Sequence, residues 1–374
     1  MSTKKLNLGL IFGGRSGEHE ISLRSARSVL AAADPEKYQI TQIGITHDGV
    51  WLIGENVLHA LETENIQALD QAVILPDPLD SNLYALHPLQ DGVILQALTS
   101  LDVVFPLLHG TFGEDGTIQG LLEMAGMAYV GAGVVGSAVG MDKALFKDLM
   151  RANDIPIVES ILVLRREIEQ DPNAVIEKAE RLAPYPLFTK PANLGSSVGI
   201  TKCRNRSDLL EGLHEAARYD RKILIERGVN AREIEVSVLG NDDPQVSIPG
   251  EILPSREFYS YEAKYLDGTS GLLIPAPLSE DLIRRVQHLA RRAYQAVDCA
   301  GLARVDFLLD KDSHELFLME INTIPGFTNI SMYPKLWEAS GVAYPELIDR
   351  LIALALERKA EKDRTEWRYR RDTE

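Results

Sequence analysis

Two neighbouring segments in the last third of the chain alternate apolar and polar residues, as β-strands with one buried face do. The polar positions are Arg304 and Asp306 in the first segment and Glu320 and Asn322 in the second. Because side chains two residues apart on a strand point to the same side, we expect each pair to share a face. Carboxylate and amide oxygens are ligands that Mg²⁺ prefers, and an arginine beside them can stabilise a phosphoryl group in transfer. The pattern predicts a magnesium site, although a hairpin with a solvated polar face would look the same.

A second group of residues could bind phosphate. Lys190 ends an apolar segment and precedes a loop rich in Gly, Ser and Asn, from Pro191 to Gly199. Such a loop can turn several backbone N–H groups towards an anion while the lysine supplies positive charge. Lys143, at the start of a predicted helix, could add a second charge. The alternative for both lysines is a solvated position beside a flexible loop.

Two further glycine-rich segments, at residues 13–20 and 109–116, follow predicted buried strands. Glycine lets the backbone approach a ligand closely. In the first segment, Glu18 could pair with the ammonium group of a substrate, or it could interact with the dipole of the helix that begins there. In the second, His109 could bind substrate or could be a hydrogen-bonded structural residue.

Two familiar nucleotide-binding motifs are incomplete. Residues 131–136 match G-x-G-x-x-G, but no strand ending in an acidic residue follows at the required distance, so we interpret them as a tight strand-to-helix turn. Residues 9–16 resemble a P-loop, but Arg15 replaces the lysine and Gly9 lies inside a predicted strand. A nicotinamide-dependent oxidoreductase that uses residues 131–136 remains an alternative function.

Strand and helix patterns alternate around these motifs. In the first third we predict strands at residues 6–12, 40–45, 103–108 and 128–130 and helices at 21–33 and 117–125. This order is typical of a doubly wound α/β unit. Further strands are predicted at residues 157–164, 187–190, 223–226, 233–239, 245–252, 303–309 and 315–321, with helices at 142–151, 176–182 and 280–297. We expect three domains, at residues 1–130, 131–229 and 230–374.

The composition of the chain disfavours several classes of function. The chain has 374 residues and a formal net charge of −16, which disfavours binding to nucleic acid or to an anionic membrane. Its two cysteines, Cys203 and Cys299, form no disulfide framework and fit a reducing cytoplasm. No apolar stretch is long enough to cross a membrane, and the short apolar run after the N-terminal lysines is predicted to be the first strand.

Seven motifs make the chain similar to the D-alanine–D-alanine ligases of the ATP-grasp superfamily. In chain order they are GGRSGEHEIS, HGTFGEDGTIQG, MDK, KPANLGSSVG, YEAKY, ARVDF and EINTIPGFTNIS. The resemblance implies an α/β and α+β fold, in which an N-terminal domain with a doubly wound parallel sheet precedes a two-part ATP-grasp domain. It also implies ligation of two D-alanine molecules through an acyl phosphate, for peptidoglycan precursor synthesis.

The residue patterns and the resemblance together predict four sets of site residues. The predicted catalytic residues are Glu18, Ser196, Tyr265, Arg304 and Gly326. The predicted substrate-binding residues are Glu18, His109, Lys264 and Ser331. The predicted ATP ligands are Lys143, Lys190, Ser197, Glu226, Arg227, Val229 and Glu233. The predicted metal ligands are Asp306, Glu320 and Asn322. Family members often have Lys at the position of Arg227, so only a backbone contact is expected there.

The resemblance further implies ATP, two Mg²⁺ or Mn²⁺ ions, a homodimer and a cytoplasmic location. Residues 256–271 combine aromatic residues with glycines and are predicted to close over the bound substrates as a lid. The alternatives are another ATP-grasp carboxylate–amine ligase, a depsipeptide-forming ligase that uses D-lactate, and a nucleotide-binding module without catalysis.

Overall fold

The computed structural model describes residues 4–253 and 271–366. Within this part of the chain, seven strands form the first sheet: β1 (Leu6–Gly13), β2 (Tyr38–Ile45), β3 (Trp51–Ile53), β4 (Asp70–Ile74), β5 (Asn82–Leu89), β6 (Gly92–Ser100) and β7 (Val103–Pro106). Their order across the sheet is β6-β5-β4-β3-β2-β1-β7. Strand β1 is parallel to β2 and β7, and the other neighbours are antiparallel.

Three helices, α1 (His19–Ala32), α2 (Val57–Glu62) and α3 (Thr117–Met124), cover this sheet. Leu8 and Leu10 of β1 pack with α1 and α2 on one face, whereas Ile11 packs in the cluster that contains α3. A strand covered on both faces needs a nearly continuous apolar run, and β1 has one. The predicted α/β class is therefore confirmed. The sheet is parallel only in its β2-β1-β7 part, because the segment from β3 to β6 forms an antiparallel meander.

The second sheet is antiparallel and comprises β8 (Ser160–Leu164), β9 (Leu187–Pro191), β10 (Thr201–Cys203) and β11 (Lys222–Arg227), in the order β10-β9-β11-β8. Helices α4 (Val134–Met141) and α5 (Lys143–Ala152) precede it in the chain. Apolar residues of α6 (Arg165–Gln170), α7 (Pro172–Leu182) and α8 (Arg206–Tyr219) form a common core with its strands. This sheet forms one wall of the cleft described below.

The third sheet forms the opposite wall and is also antiparallel. Its strands in the described residues are β12 (Ala231–Gly240), β13 (Gln245–Val246), β14 (Gly250–Leu253), β15 (Gly271–Leu273), β16 (Gly301–Asp310) and β17 (Leu316–Asn322). The order is β15-β14-β12-β16-β17, and β13 pairs with β12. Helix α9 (Glu280–Ala296) packs against it. The single strand predicted at residues 245–252 is wrong, because Pro249, which has no N–H group to donate, lies between β13 and β14.

Two helices follow the third sheet, α10 (Met332–Ala339) and α11 (Tyr344–Lys362). Helix α11 returns to the first sheet, where Leu347 and Leu351 join the apolar cluster of β1. Asp349 accepts a hydrogen bond from Lys37 Nζ at 2.6 Å and another from Tyr38 Oη at 2.7 Å. The far end of the chain thus completes the core of the N-terminal sheet.

The cysteines and the helices of the structure bear on two expectations drawn from composition. Cys203 and Cys299 are both buried and free. In residues 4–253 and 271–366, no helix combines the length and the apolar character that crossing a bilayer requires.

Candidate active site

The polar faces predicted for the two C-terminal strands meet in the structure. Strands β16 and β17 are antiparallel neighbours, with Arg304 opposite Asn322 and Asp306 opposite Glu320. Val305 lies between Arg304 and Asp306 on β16 and points to the opposite face of the sheet, where it is completely buried in the core. The alternation inferred from the sequence therefore brings the three predicted metal ligands together around Arg304.

Arg304 is held by two carboxylates. Its Nε and Nη2 donate to Oδ1 and Oδ2 of Asp306 at 2.8 and 2.6 Å, and its Nε lies 3.0 Å from Oε2 of Glu235. Burial alone would lower the pKa of Arg304, but Asp306 and Glu235 outweigh it and raise that pKa well above its ordinary value. The sequence analysis did not find Glu235. It lies opposite Asp306 because β12 pairs with β16, a register that neither segment reveals alone.

Glu18 contacts the glycine- and serine-rich loop of the second sheet. Ser196 Oγ donates a hydrogen bond to Glu18 Oε1. Two glycines make room for this carboxylate: a Cβ atom would lie 2.9 Å from Glu18 Oε2 at Gly195 and 2.5 Å from it at Gly110, where φ is +72°. A side chain at either position would force the Glu18 carboxylate to move. Glycines from two separate motifs therefore leave the space that this carboxylate occupies.

Glu114 is a residue of this region that the sequence analysis missed. Its Oε2 accepts a hydrogen bond from the backbone N–H of Gly110, and its Oε1 accepts one from that of Ile324, both at 2.9 Å. Burial, and then the negative charge of Glu18, raise the pKa of Glu114 to about 8. Glu114 thereby joins the loop at 109–116 to the segment after β17. Its position in the HGTFGEDG motif was the available signal.

His109 is buried, and both of its ring nitrogens have protein partners. Nδ1 lies 2.8 Å from the carbonyl oxygen of Ile324, which can only accept, so Nδ1 carries a proton. Nε2 lies 3.0 Å from Ser25 Oγ. Burial lowers the pKa of His109, which favours the neutral ring. Its role in substrate binding stays a prediction, and its contacts in this structure are those of a residue that positions its neighbours.

These groups surround a small cavity of about 60 Å³. The predicted site residues among its lining are Glu18, His109, Lys143, Ser196, Arg304, Glu320, Asn322 and Gly326. They come from the loops after β1 and β7, the loop after β9, the start of α5, the hairpin of β16 and β17 and the segment after β17. Loops from all three sheets therefore meet at this cavity.

A larger cleft of about 300 Å³ lies between the second and third sheets. All of the predicted ATP ligands line it: Lys143, Lys190, Ser197, Glu226, Arg227, Val229 and Glu233. Lys143, Gly195, Ser196 and Glu320 line both this cleft and the small cavity. A nucleotide in the cleft could therefore direct its phosphates towards Arg304 and Glu18.

Two lysines share one buried carboxylate at the inner wall of the cleft. Lys190 Nζ forms an ion pair with Oε2 of Glu226, and Lys147 Nζ lies 2.9 Å from its Oε1. Burial alone would raise the pKa of Glu226, but Lys147 and Lys190 lower it to about 2. The sequence analysis missed Lys147, which faces inward because it lies one helical turn after Lys143 on α5.

Comparison with known families decides the identity of the fold. The sequence model of the D-Ala D-Ala ligase N-terminus matches residues 7–132, and that of the C-terminus matches residues 149–353. The chain belongs to the D-alanine–D-alanine ligase family. It is 49% identical over 362 residues to the D-alanine--D-alanine ligase of Natranaerobius thermophilus, covering 96% of this chain and 98% of the relative. It is 50% identical over 370 residues to that of Thermoanaerobacter sp. strain X514, covering 97% and 100%.

Solved structures give the same family. The D-alanine-D-alanine ligase from Coxiella burnetii superimposes with a TM-score of 0.81 at 36% identity, covering 96% of this ligase and 97% of that chain. The VanG D-Ala:D-Ser ligase from Enterococcus faecalis superimposes with a TM-score of 0.83 at 34% identity, covering 94% and 100%. The predicted ATP-grasp architecture is thereby confirmed, and the chain is an ATP-dependent ligase.

The side chain of Arg227, for which the sequence predicted only a backbone contact with ATP, contacts protein groups. Its Nε donates to Glu159 Oε2 at 2.7 Å, and its guanidinium lies 5.5 Å from the centre of the Phe317 ring. The backbone N–H of Arg227 donates to the carbonyl of Glu159 at 3.1 Å. A contact between the backbone of Arg227 and a nucleotide stays a prediction.

The predicted site for the second substrate of the ligase is described in part. Gly326 lines the small cavity, and a Cβ atom there would lie 3.2 Å from Ser331 Oγ. Ser331 also accepts a hydrogen bond from the backbone N–H of Thr328 at 3.2 Å and precedes α10. Lys264 and Tyr265 lie outside the described residues, as does the predicted lid except for its last residue, Gly271.

Proposed function

We propose that this ligase joins two D-alanine molecules through an acyl phosphate and supplies D-alanyl-D-alanine for peptidoglycan synthesis. The observation that carries the proposal is the small cavity in which the Glu18–Ser196 contact and the Arg304 hairpin meet beside the nucleotide cleft. Glu18, an anionic group suited to an amino-acid ammonium, and Arg304, a cationic group suited to a phosphoryl oxygen, then line the same cavity.

ATP would occupy the cleft between the second and third sheets. Backbone groups of Arg227 and Val229 would hold the adenine ring, and Glu233 would bind the ribose. Lys143 and Lys190 would contact the phosphates. When Lys190 turns from Glu226 to a phosphate, Lys147 still neutralises that carboxylate, so the buried charge keeps a partner.

The donor set of the hairpin fits a hard divalent cation. Asp306, Glu320 and Asn322 all offer oxygen, which suits Mg²⁺ or Mn²⁺, and two ions are expected between this set and the phosphates. Asp306 Oδ1 accepts a hydrogen bond from Arg304 Nε, and Oδ2 accepts one from Arg304 Nη2 and one from Asn322 Nδ2 at 3.0 Å. A metal bound to these residues would therefore replace the contact between Asn322 and Asp306, with the amide oxygen of Asn322 turned to the ion. Bound Mg²⁺ supplies charge that offsets the negative oxygens of the transferring phosphoryl group.

In the first step, Glu18, oriented by Ser196, would bind the ammonium group of one D-alanine. The carboxylate of that D-alanine attacks the γ-phosphorus of ATP, forming an O–P bond while the bond to the bridging oxygen breaks and ADP leaves. Such a transfer depends mostly on position and charge, and no covalent bond to the protein is needed. The product is an acyl phosphate.

In the second step, the amine of another D-alanine attacks the acyl carbon and gives up a proton. The guanidinium of Arg304 and the backbone N–H of Gly326 would stabilise the oxyanion of the tetrahedral intermediate. The C–O bond to phosphate then breaks, and phosphate leaves with the electron pair. Lys264 and Ser331 would bind the carboxylate of this second D-alanine.

The remaining parts of the proposal concern the state of the protein in the cell. The family resemblance supports a homodimer and a cytoplasmic location, and the free cysteines are compatible with a reducing compartment. With a formal net charge of −16, the protein is not expected to bind nucleic acid or anionic lipid.

The test measures phosphate and dipeptide in one reaction with ATP and Mg²⁺. D-alanine should give one phosphate per D-alanyl-D-alanine, and L-alanine should give neither. D-lactate and D-serine are each offered together with D-alanine to identify the second substrate. Turnover with L-alanine, or none with D-alanine, would reject the proposal, and a depsipeptide as the main product would favour the D-lactate alternative.

A further inference from the structure

Three potential metal ligands lie together close to Glu18, and none of them lines the small cavity or the nucleotide cleft. Among the described residues, His19, Glu20 and His47 form the one group of three His, Cys, Asp or Glu side chains whose ligand atoms all lie within 4.8 Å of one another. The rings of His19 and His47 are stacked with their centres 3.8 Å apart. His47 Nε2 lies 3.6 Å from Glu20 Oε1.

His19 already has the orientation and tautomer that metal-binding histidines use. It is buried, and its Nδ1 lies 2.9 Å from the carbonyl oxygen of Gly14. Because a carbonyl can only accept, Nδ1 carries the proton and Nε2 has a lone pair. A histidine whose second nitrogen donates to a backbone carbonyl is a common arrangement at metal centres, where that bond fixes the ring.

The other two ligands can adjust without movement of the backbone. The side chains of Glu20 and His47 are 63% and 66% exposed. Around a tetrahedral zinc ion with bonds of about 2.0–2.1 Å, the ligand atoms lie about 3.3 Å apart. The present separations are at most 4.8 Å, and both exposed side chains have room to rotate towards a shared ion.

We propose that His19, Glu20 and His47 form a binding site for a divalent transition-metal ion such as Zn²⁺. Two imidazole nitrogens and one carboxylate oxygen suit zinc, whereas Mg²⁺ prefers an all-oxygen set such as that of the hairpin. Water occupies the fourth position. The bound ion links the first turn of α1, which directly follows Glu18, to the turn between β2 and β3, which carries His47.

Titration calorimetry of the full chain with Zn²⁺ tests this site. Saturating Mg²⁺ is present throughout, so that the hairpin ligands are occupied. The wild-type protein should bind one zinc ion at this site. His47→Gln and Glu20→Gln should each weaken that binding about tenfold or more, since each removes a direct ligand. His59→Gln, an exposed histidine on α2, is the matched control and should bind zinc as the wild type does.

Thermal unfolding provides a second measurement that needs no activity. Zinc should raise the melting temperature of the wild type and of the His59→Gln control, because it binds only the folded arrangement of the two turns. The rise should be lost in His47→Gln and in Glu20→Gln, whose circular dichroism spectra without zinc should match the wild type. Absence of saturable zinc binding by the wild type, or equal zinc affinity in all four proteins, would overturn the proposal.

Discussion

Ser196 donates a hydrogen bond to Glu18 across 178 residues of chain. The contact joins the loop after β1 to the glycine- and serine-rich loop after β9, which also lines the nucleotide cleft. The backbone of Ser196 has a φ of +53°, an uncommon value for a residue with a side chain. Glu18, the predicted acceptor for the substrate ammonium, is therefore positioned by the loop that is predicted to bind the phosphates.

Glu18→Gln should weaken the binding of the first D-alanine, because it removes the charge that is predicted to pair with the substrate ammonium. A hydrogen bond to a charged group contributes about 1.5–3 kcal/mol, so the apparent KM for D-alanine should rise roughly 10- to 100-fold. Ser196→Ala should raise it less, because Glu18 keeps its charge. Initial rates of phosphate release at varied D-alanine provide the measurement, and Glu36→Gln, at an exposed acidic residue, is the control. An unchanged KM in Glu18→Gln would contradict this role.

Glu320→Gln and Asn322→Ala should each reduce turnover by about 100-fold or more, because each removes an oxygen ligand from the predicted magnesium site. Far-UV circular dichroism should remain that of the wild type, since neither side chain belongs to the apolar core. Glu315→Gln, an exposed position just before β17, is the matched control. Full activity of both variants at limiting Mg²⁺ would show that the polar face is solvated surface.

Lys190→Ala should raise the KM for ATP or lower kcat, by roughly 10- to 100-fold, because a charge that faces the phosphates is lost. The fold should survive, since Glu226 keeps its contact with Lys147. Steady-state kinetics at varied ATP, beside the exposed-lysine variant Lys178→Ala, measure the effect. If both ATP parameters match those of the control, the loop after β9 does not bind phosphate.

Lys147→Met should lower the free energy of unfolding. Lys147 is buried, and besides Glu226 it donates to the carbonyl of Val158 at 3.1 Å. Loss of one partner from a buried ion pair costs about 3–5 kcal/mol, and the low end is expected because Lys190 still faces Glu226. Urea unfolding measures the difference in the free energy of unfolding. The control, Lys178→Met on α7, should change it by less than about 0.5 kcal/mol.

Glu226 should make stability depend on pH in the acid range. Its pKa is about 2 in the folded protein, against an ordinary value of 4.5, despite burial that acts in the opposite direction. A lowered carboxyl pKa contributes stability that is fully present above about pH 4.5 and is lost as the pH falls towards 2. The difference in unfolding free energy between wild type and Glu226→Gln should therefore shrink over that window. A constant difference from pH 7 to pH 3 would contradict the charge pairing.

Patterns of period two predicted the shared polar face of β16 and β17, because the opposite face of these strands is buried in the core that contains α9. They did not reveal the register shift after Asp306, where Phe307 pairs with Leu318. The motifs also indicated which loops converge, since strands β1 and β7 are parallel neighbours and end at the same edge of the sheet. The antiparallel meander from β3 to β6 was missed. Most of β6 is exposed, so it has no alternation of buried and exposed positions to detect.

Contacts between distant segments could not be predicted from one sequence. Glu235 reaches Arg304 through the register of β12 with β16, and Lys147 reaches Glu226 through the packing of α5 beside β11. The sequence around each of these residues has the pattern of an ordinary amphipathic strand or helix. The glycines at 131–136 do lead into a helix, since α4 begins at Val134, and a Cβ atom at Gly136 would lie 2.7 Å from the carbonyl oxygen of Asp298. The strand predicted before them at residues 128–130 is wrong, because only an isolated bridge joins Tyr129 to Val104.

The return of α11 to the first sheet has a consequence for biosynthesis. Leu347 and Leu351 complete an apolar cluster whose other side chains, such as Leu8 and Leu10, leave the ribosome near the beginning of translation. At roughly 5–20 residues per second, the N-terminal sheet waits on the order of 15–70 s for the helix that covers it. During that interval α1 and α2 can pack on β1, but the part of the cluster that Leu347 and Leu351 contact stays uncovered. Until α11 emerges, the N-terminal sheet therefore keeps some apolar surface in contact with solvent.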